Sequence, residues 1–375
     1  MAKYRYGALM RYANMLGFGQ IHTKLDHETG LHALIAIHNI ELGPAIGGCR
    51  CFTYESTTSA TKDVLRLAYM MTLKAAISGL PHGGAKAVII RPKKIKDRRA
   101  FFHSFGDFVH QMNGHYITAC DVGTSPEEMN IIAERTPYVI GATSLSSYQS
   151  NPAEHTARGV LRGIQAAVKH RLHHDDISGL RVSIQGLGNV GYDLARLLHD
   201  RGAIITATDP NSDKIQQAVD ELGIQAVSLD GIYDIPSDIF SPCALGGTLN
   251  LNTLNRINTS IIAGSANNQL AHKKYIHLIQ QKNILYAPDY LINAGGLINA
   301  AIVYDYQDPP RATQQIDDIY DITLELFERA EKEQATTIDI AEKMARERIE
   351  KGKTLNRSMT LQSARSNNDP QKTSS

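Results

Sequence analysis

Residues 180–191 read Leu-Arg-Val-Ser-Ile-Gln-Gly-Leu-Gly-Asn-Val-Gly, an apolar run that leads into a glycine-rich turn. The first six residues are predicted to form a strand, and the residues after the turn a helix that ends at Gly202. A second apolar run at 204–208 leads directly to Asp209, 18 residues after the last glycine of the turn. The order strand, turn, helix and strand is typical of a parallel α/β sheet.

The three glycines of the turn have the spacing Gly-x-Gly-x-x-Gly, which in this context binds the pyrophosphate of a dinucleotide. Gly186 permits the tight turn, Gly188 lets the backbone approach the pyrophosphate, and Gly191 allows the helix to pack closely on the strand. Asp209 would bind the adenine ribose 2′-hydroxyl and repel a 2′-phosphate, so NAD is predicted in preference to NADP. The alternative is a glycine-rich turn without a ligand. The predicted cofactor site also includes Leu187, Asn189 and Val190.

Four further apolar runs follow, separated by turn residues or helical patterns, which indicates a doubly wound sheet of the Rossmann type. They lie at 226–229, 238–240, 260–263 and 284–287. Two amphipathic helices, around 316–331 and 338–349, come after this sheet.

The 375 residues are enough for two domains. Residues 151–154, Asn-Pro-Ala-Glu, supply an N-cap, a proline at N1 and an acid at N3, so a second unit is predicted to begin there. We therefore predict an α/β protein with an N-terminal α/β substrate-binding and catalytic domain at 1–150, an NAD-binding domain at 151–334 and a cleft between them. The helix at 335–353 is expected to pack back on the first domain, and 354–375 to form a disordered tail.

The charge of the chain is nearly balanced, with 39 lysines and arginines against 38 acidic residues. This balance indicates neither a nucleic-acid partner nor an anionic membrane surface. No run approaches the roughly 20 apolar residues that span a bilayer, and the N-terminus lacks the apolar core of a signal peptide, so we expect a cytoplasmic protein. The four scattered cysteines are expected to be reduced thiols, and no metal site is predicted.

A helix is predicted at 57–78, and Lys74 falls on the same face as Val64, Leu67 and Met71. A charge among apolar residues is costly to bury unless it is paired, which favours a binding role for this lysine. The alternative is that its long side chain reaches solvent.

Two further charged residues lie at the ends of predicted elements. Lys86 is placed at a loop-to-strand junction before the run 87–90, where two preceding glycines leave it accessible to a substrate. Asp121 directly follows the run 116–120, a place where catalytic groups often lie. If Lys74 and Lys86 line one pocket, the positive charge of each lowers the pKa of the other. One of them is therefore a candidate base near neutral pH. The alternatives are a strand-edge lysine and a turn or N-cap aspartate.

Eight motifs occur in order along the chain: Gly-Pro-Ala-Ile-Gly-Gly at 43–48, Met-Thr-Leu-Lys at 71–74, Gly-Leu-Pro-His-Gly-Gly-Ala-Lys at 79–86, Asp-Val-Gly-Thr-Ser at 121–125, the glycine turn at 186–191, Pro-Cys-Ala-Leu-Gly at 242–246, Ala-Gly-Ser-Ala-Asn-Asn-Gln-Leu at 263–270, and Ala-Pro-Asp-Tyr at 287–290 with its continuation to 299. By these motifs the sequence resembles the Glu/Leu/Phe/Val dehydrogenase family and looks closest to its leucine dehydrogenase branch. The resemblance extends from about residue 25 to residue 352.

The resemblance implies an oxidative deamination, in which an L-amino acid, water and NAD⁺ give a 2-oxo acid, ammonia and NADH. It implies that Lys74 binds the substrate α-carboxylate, that Lys86 activates the water attacking the imine, and that Asp121 moves protons to and from the amino group. It also implies that Thr156 and Asn268 lie near the nicotinamide or the substrate. A homo-oligomer is implied as well, with an octamer as a candidate size.

Members of the family that are specific for glutamate resemble one another in carrying a lysine that binds the distal carboxylate of the substrate. In this sequence Ile46 stands at that position. An isoleucine gives that carboxylate no partner, and burying it unpaired is costly, so glutamate is predicted to be excluded. Leucine, isoleucine and valine are favoured, with their ranking open. The predicted substrate pocket also contains Gly47, Met71, Lys74, Ala119, Asn268, Leu297 and Ala300.

Five residues depart from the family pattern. Ala85 replaces the third glycine that usually precedes the catalytic lysine, and His82 is found where an apolar residue is common. Cys120 replaces an acid beside the catalytic aspartate. Leu297 and Ala300 differ from the usual paired valines, so the pocket could take a longer or an aromatic side chain. Two alternative functions therefore stay open, a phenylalanine dehydrogenase and a catalytically inactive NAD-binding regulator.

Overall fold

The computed structural model of the protein describes residues 7–18, 20–144 and 151–367, with the side chains of the last helix described up to residue 354. It contains one mixed sheet and one parallel sheet, each with helices packed against it. The predicted fold class, an α/β substrate domain followed by a doubly wound Rossmann-type domain, is confirmed.

The chain divides into two compact units. The first unit joins Met1–Gln149 to Ala345–Ser375, and the second unit is Ser150–Met344. The predicted boundary at residue 150 lies one residue from this division, whereas the chain returns to the first unit at 345 rather than at 335. Residues 354–367 are helical, which differs from the disordered tail predicted from 354, and 368–375 lie outside the described residues.

A five-stranded sheet forms the centre of the first unit. Its strands are β1 (Gln20–Asp26), β2 (Leu31–Asn39), β3 (Ala45–Phe52), β4 (Gly83–Ile90) and β5 (Tyr116–Cys120). Their order across the sheet is β1-β2-β4-β3-β5. The pairs β1/β2 and β2/β4 are antiparallel, and β4/β3 and β3/β5 are parallel. Strand β3 therefore lies between β4, which carries Lys86, and β5, which ends directly before Asp121.

Helices cover both faces of this sheet. They are α1 (Ala8–Leu16), α2 (Thr57–Ile77), α3 (Arg98–His110) and α4 (Pro126–Ala133). Val88 of β4 belongs to the apolar cluster that includes residues of α2, whereas Ala85, Ala87 and Ile89 belong to the cluster that includes residues of α3 and α4. Because side chains alternate between the two faces of a strand, Lys86 shares the α2 face with Val88.

Helix α2 matches its prediction to within one residue, and it begins at an N-cap where the Ser56 side chain accepts a hydrogen bond from the amide of Ser59. Its orientation differs from the predicted one. Of the four residues assigned to one face, Val64 is buried, whereas Leu67, Met71 and Lys74 are half-buried. Lys74 thus lies beside the buried face of α2 rather than within it.

The backbone of α2 lies directly against β4 at Gly84. A Cβ atom at this glycine would be 2.1 Å from the backbone nitrogen of Thr72 and 2.4 Å from its Cα. Any other residue would force the helix away from the sheet, because backbone atoms cannot rotate aside. This close approach fixes the part of α2 that carries Lys74 against the strand that carries Lys86.

The second unit contains a six-stranded sheet. Its strands are β6 (Arg181–Gln185), β7 (Ile204–Thr208), β8 (Gln225–Ala226), β9 (Ile239–Pro242), β10 (Ile261–Ile262) and β11 (Leu285–Tyr286). Their order is β11-β10-β9-β6-β7-β8, and every pair is parallel. This order places β6, which precedes the glycine turn, at the centre of the sheet, as a doubly wound sheet requires.

Ten helices follow the first unit's sheet within residues 151–367. They are α5 (Pro152–Leu172), α6 (Asn189–His199), α7 (Ser212–Leu222), α8 (Leu251–Arg256), α9 (Tyr275–Gln281), α10 (Asp289–Ile292), α11 (Gly295–Tyr306), α12 (Pro309–Asp317), α13 (Ile319–Glu333) and α14 (Thr337–Asn367). The helix predicted around 316–331 corresponds to α13, with α12 ending just before it. None of the helices in the described ranges has the length and hydrophobicity needed to cross a bilayer.

Helix α14 contributes to both units. Its first turns belong to the second unit, where Glu342 accepts a hydrogen bond from Nζ of Lys273 at 2.8 Å. From Ala345 onward it belongs to the first unit, where Nη2 of Arg346 donates to the Tyr69 hydroxyl at 3.1 Å. The first unit is therefore built from two separate parts of the sequence.

Candidate active site

In the first unit the structure brings Lys86 and Asp121 together. Nζ of Lys86 lies 3.0 Å from Oδ2 of Asp121, although the two residues belong to β4 and to the end of β5. Strand β3 lies between them and has Gly47 and Gly48 at this point. A Cβ on Gly48 would be 2.9 Å from Cβ of Asp121, and a Cβ on Gly47 would be 1.8 Å from the Ala85 carbonyl oxygen of β4. Gly48 therefore leaves room for the Asp121 side chain, and Gly47 lets β3 lie close to the strand that carries Lys86.

Lys86 lies inside a strand rather than at the predicted loop-to-strand junction. Strand β4 already begins at Gly83, and Lys86 pairs with Ala36 of the neighbouring strand β2. The side chain of Lys86 is 8% exposed and that of Asp121 is 18% exposed. A nearly buried ammonium ion needs a counter-ion, and Asp121 supplies it.

Arg50 is a third charged residue of this cluster, and no sequence argument singled it out. Its Nε donates a hydrogen bond to Oδ2 of Asp121 at 2.9 Å, so Lys86 and Arg50 bind the same carboxylate oxygen. A signal was available, because Arg50 is the single charged residue of β3. A charge within an otherwise apolar buried strand requires a partner.

The electrostatics of the cluster favour an ionised Asp121. Burial alone would raise the pKa of this carboxyl group, but the Lys86 ammonium and the Arg50 guanidinium outweigh burial, and the pKa lies below its ordinary value. Asp121 is therefore a carboxylate at neutral pH.

The other predicted residues of the first unit differ in accessibility. Ile46 is 1% exposed and is paired with Gly84 on one side and Ile117 on the other. Gly47 is buried as well, whereas Met71, Lys74 and Ala119 are half-buried. Their contact with a substrate stays a prediction.

Two of the departures from the family pattern are packing positions. Ala85 is fully buried in the cluster against α3 and α4, and His82 is 2% exposed with Nδ1 3.0 Å from the Pro44 carbonyl oxygen. Cys120 is the last residue of β5 and directly precedes Asp121. Within the described ranges no three His, Cys, Asp or Glu side chains converge as metal ligands would.

In the second unit, the glycine turn has the geometry that a dinucleotide requires. Gly186 has a φ of +101°, which favours glycine, and a Cβ on Gly191 would be 2.0 Å from the Gly186 carbonyl oxygen. A Cβ on Gly188 would meet no described atom within 4 Å, so a ligand can approach the backbone there. Helix α6 begins after Gly188 with no side-chain cap, which leaves its first amide groups for a phosphate. These residues fit the pyrophosphate of NAD.

Asp209 lies where it was predicted, directly after β7. Its Oδ2 accepts a hydrogen bond from the Leu187 amide at 2.7 Å, and its Oδ1 accepts one from the Asn211 amide at 2.9 Å. The carboxylate therefore joins the glycine turn to the loop before α7. This position beside the turn fits a role in binding the adenine ribose.

The remaining predicted residues lie elsewhere in the second unit. Thr156 lies on α5, donates to the Pro152 carbonyl oxygen at 2.8 Å, and would be 2.8 Å from a Cβ on Gly296 of α11. Asn268 has a φ of +54° in the segment that follows β10. Leu297 and Ala300 are half-buried on α11. The predicted substrate residues are thus divided between the two units.

Comparison with known proteins identifies the family. The profile described as Glu/Leu/Phe/Val dehydrogenase, dimerisation domain, matches residues 18–138, and the profile described as Glutamate/Leucine/Phenylalanine/Valine dehydrogenase matches 150–229 and 211–354. A leucine dehydrogenase from Geobacillus stearothermophilus is 44% identical over 343 residues, which cover 91% of this chain and 93% of the relative. A phenylalanine dehydrogenase from Caldalkalibacillus thermarum is 37% identical and covers 88% of this chain and 91% of its own length.

A solved structure agrees with these matches. The crystal structure of L-tryptophan dehydrogenase from Nostoc punctiforme superposes with a TM-score of 0.83 at 38% sequence identity, and the match covers 92% of this chain and 99% of that one. The resemblance inferred from the eight motifs is therefore confirmed, and the chain belongs to the Glu/Leu/Phe/Val dehydrogenase family.

Proposed function

We propose that the protein is an NAD-dependent L-amino acid dehydrogenase that converts a branched-chain amino acid, namely leucine, isoleucine or valine, to its 2-oxo acid and ammonia, reversibly. The observation that carries this proposal is the contact of 3.0 Å between Nζ of Lys86 and Oδ2 of Asp121. It joins a cation and an ionised carboxylate within a chain of this family. A catalytically inactive regulator would have no need to keep this buried pair.

The proposed chemistry assigns one task to each charged residue. Lys74 binds the α-carboxylate and so orients the substrate Cα. Lys86, in its neutral form, takes a proton from the water that attacks the imine carbon, and Asp121 exchanges protons with the substrate nitrogen. The resulting carbinolamine then loses the proton of its hydroxyl group, and its C–N bond breaks, which releases ammonia and leaves the 2-oxo acid.

The cofactor site lies in the glycine turn and at Asp209. The backbone amides of residues 186–191 would hold the pyrophosphate, and Asp209 would hold the ribose hydroxyls. When bound there, NAD⁺ would accept the hydride that leaves the substrate Cα. Thr156 and Asn268 are proposed to line the nicotinamide or the substrate.

The substrate preference rests on uncharged side chains. Ile46 offers no cation to a distal carboxylate, and Met71, Ala119, Leu297 and Ala300 would form the apolar surface around the substrate side chain. A single methylene group changes binding by only about 1–3 kcal/mol, so the order among leucine, isoleucine and valine depends on measurement. We also propose a homo-oligomer in the cytoplasm, with an octamer as the size to test by light scattering.

A substrate panel tests the function. The purified chain is mixed with L-Leu, L-Ile, L-Val, L-Phe, L-Trp or L-Glu and with NAD⁺ or NADP⁺, and formation of the reduced cofactor is followed. We expect the highest kcat/KM with a branched-chain substrate and NAD⁺. A maximum with L-Phe would identify a phenylalanine dehydrogenase, and no activity with any amino acid would support the inactive regulator.

The cofactor preference gives a separate prediction. Replacing Asp209 with alanine removes hydrogen bonds between a charged group and the ribose, so we expect kcat/KM for NAD⁺ to fall by about 10- to 100-fold and the preference over NADP⁺ to shrink. The measurement is steady-state kinetics with both cofactors. Asp213→Asn, which removes an exposed charge from the start of α7, is the control and should leave both values close to those of the original protein. An unchanged preference in the Asp209 variant would contradict the assignment.

A further inference from the structure

Asp121 is held by two cations on one oxygen. Nζ of Lys86 lies 3.0 Å and Nε of Arg50 lies 2.9 Å from Oδ2, and within residues 20–144 no hydrogen bond reaches Oδ1. The carboxylate therefore keeps one oxygen for the protein and offers the other to a substrate amino group. Its orientation depends on both cations.

Arg50 is itself fixed from its other end. Its Nη1 lies 3.0 Å from Oδ2 of Asp63 on α2, and the Tyr54 hydroxyl donates to the same oxygen at 2.8 Å. Arg66 contacts Oδ1 of Asp63 at 2.9 Å. The guanidinium thus bridges two carboxylates, and its side chain is only 22% exposed. A planar group held at both edges has little freedom to rotate.

The proposed reaction makes two conflicting demands on the ion pair of Lys86 and Asp121. Lys86 must lose its proton to activate water, yet this loss removes one of the two positive charges on a largely buried carboxylate. Arg50 stays protonated throughout, because an arginine side chain does not deprotonate in proteins. It can therefore keep Asp121 ionised and oriented in the step in which Lys86 is neutral.

We propose that Arg50 is a positioning residue for the reaction, which holds Oδ2 of Asp121 through Nε while Lys86 changes its protonation state. This inference rests on the function proposed above. In the proposed reaction Arg50 contacts neither the substrate nitrogen nor the imine carbon. Its effect passes through the carboxylate of Asp121.

The two thiols and the phenol near Asp121 stay neutral around neutral pH. Burial raises the pKa of Cys49 to about 12 and that of Cys120 to about 11, and it raises the pKa of Tyr116 well above its ordinary value. The negative charge of Glu128 on α4 raises the pKa of Cys120 further. A change in the pH profile on removal of Arg50 would therefore report the carboxylate and its two cations as a unit.

The test compares the full-length protein with Arg50→Met in a pH series with L-leucine and NAD⁺. We expect kcat to fall by about 10- to 100-fold with little change in KM for leucine, because the carboxylate loses its orientation. Removing a cation raises the pKa of Asp121, so the acid limb of the kcat profile should move to higher pH by roughly one unit. Arg50→Lys keeps the charge but cannot bridge both carboxylates, so it should restore the acid limb and recover kcat only in part.

Arg135→Met is the matched control. Nε of Arg135 lies 2.8 Å from Oδ1 of Asp107, the same kind of contact, but both side chains are exposed. If Arg50→Met folds, as circular dichroism would show, and has the kcat and acid limb of the original protein, the inference is wrong. The same holds if Arg135→Met causes an equal loss.

A second variant covers a failure of Arg50→Met to fold. Asp63→Asn leaves Arg50 in place and weakens its anchor, together with the contacts of Tyr54 and Arg66 to the same side chain. We expect kcat to fall by a smaller factor, while KM and the acid limb stay almost constant. An unchanged kcat in Asp63→Asn would then overturn the inference. Inactivity of the original protein with every amino acid would instead refute the proposed function, and this inference with it.

Discussion

Replacing Lys86 with methionine is expected to reduce kcat for L-leucine by about 10²- to 10⁴-fold, the range that a general base contributes. Methionine keeps an unbranched side chain that is one atom shorter, and it has no group that takes a proton from water. Asp121 retains Nε of Arg50 at 2.9 Å, so the variant does not leave an unpaired buried carboxylate and should remain folded. Steady-state kinetics with NAD⁺, together with NADH binding by fluorescence, checks the prediction.

The control for this variant is Lys24→Met. Lys24 also lies on a strand of the same sheet, and its Nζ donates to the Ser104 carbonyl oxygen at 2.9 Å, but it takes no part in the proposed reaction. We expect its kcat to match that of the original protein. Retention of more than a tenth of kcat by Lys86→Met, with cofactor binding intact, would remove Lys86 from the role of base.

L-Glutamate should be a poor substrate, with kcat/KM about 10²- to 10⁴-fold below that of L-leucine. The reason is that a buried charge without its partner costs about 3–5 kcal/mol, and each 1.4 kcal/mol corresponds to a factor of ten. The fully buried Ile46 offers the distal carboxylate no cation. Kinetics with both amino acids at saturating NAD⁺ measure the ratio.

The variant Ile46→Lys tests whether this position acts on the substrate. If Ile46 faces the substrate side chain, the lysine should lower activity with leucine and raise the glutamate-to-leucine ratio of kcat/KM. Ile46→Val removes one carbon and should keep the preference, at a stability cost of about 0.5–1.5 kcal/mol. Comparable efficiencies with glutamate and leucine in the original protein would contradict the account of the pocket.

The local signals in the sequence were sufficient to predict the glycine turn, the helix after it and the position of Asp209. The glycine turn, the helix after it and the aspartate at the end of β7 all lie within 186–209, and their spacing alone specifies the motif. Contacts close in sequence can be predicted in this way, because few arrangements of so short a segment satisfy its turn and helix signals.

The cluster of charges in the first unit was only partly predictable. Lys86 and Asp121 were identified, but their meeting depends on β3, a strand for which no prediction was made. Its pairing with β4 and β5 joins residues tens of positions apart, and local patterns do not contain that information. Arg50 was missed for the same reason, since its importance becomes visible only when β3 lies between the two strands.

Two glycines explain why Lys86 was wrongly predicted to lie at a loop-to-strand junction. Gly83 and Gly84 were interpreted as a loop, because glycine is depleted in strands. In the structure they belong to β4, and Gly84 is required there since the α2 backbone occupies the space of a side chain. A tertiary contact outweighed the intrinsic preference of the residue.

The division of α14 between the two units has a consequence for synthesis on the ribosome. The first unit consists of 1–149 and of the residues from 345 onward, so 195 residues are translated between its two parts. At about 5–20 residues per second this interval lasts roughly 10–40 s. During that time the growing chain lacks the contact between Arg346 and Tyr69, whereas the whole sequence of the nucleotide-binding unit leaves the ribosome first. The first unit begins first and is completed last.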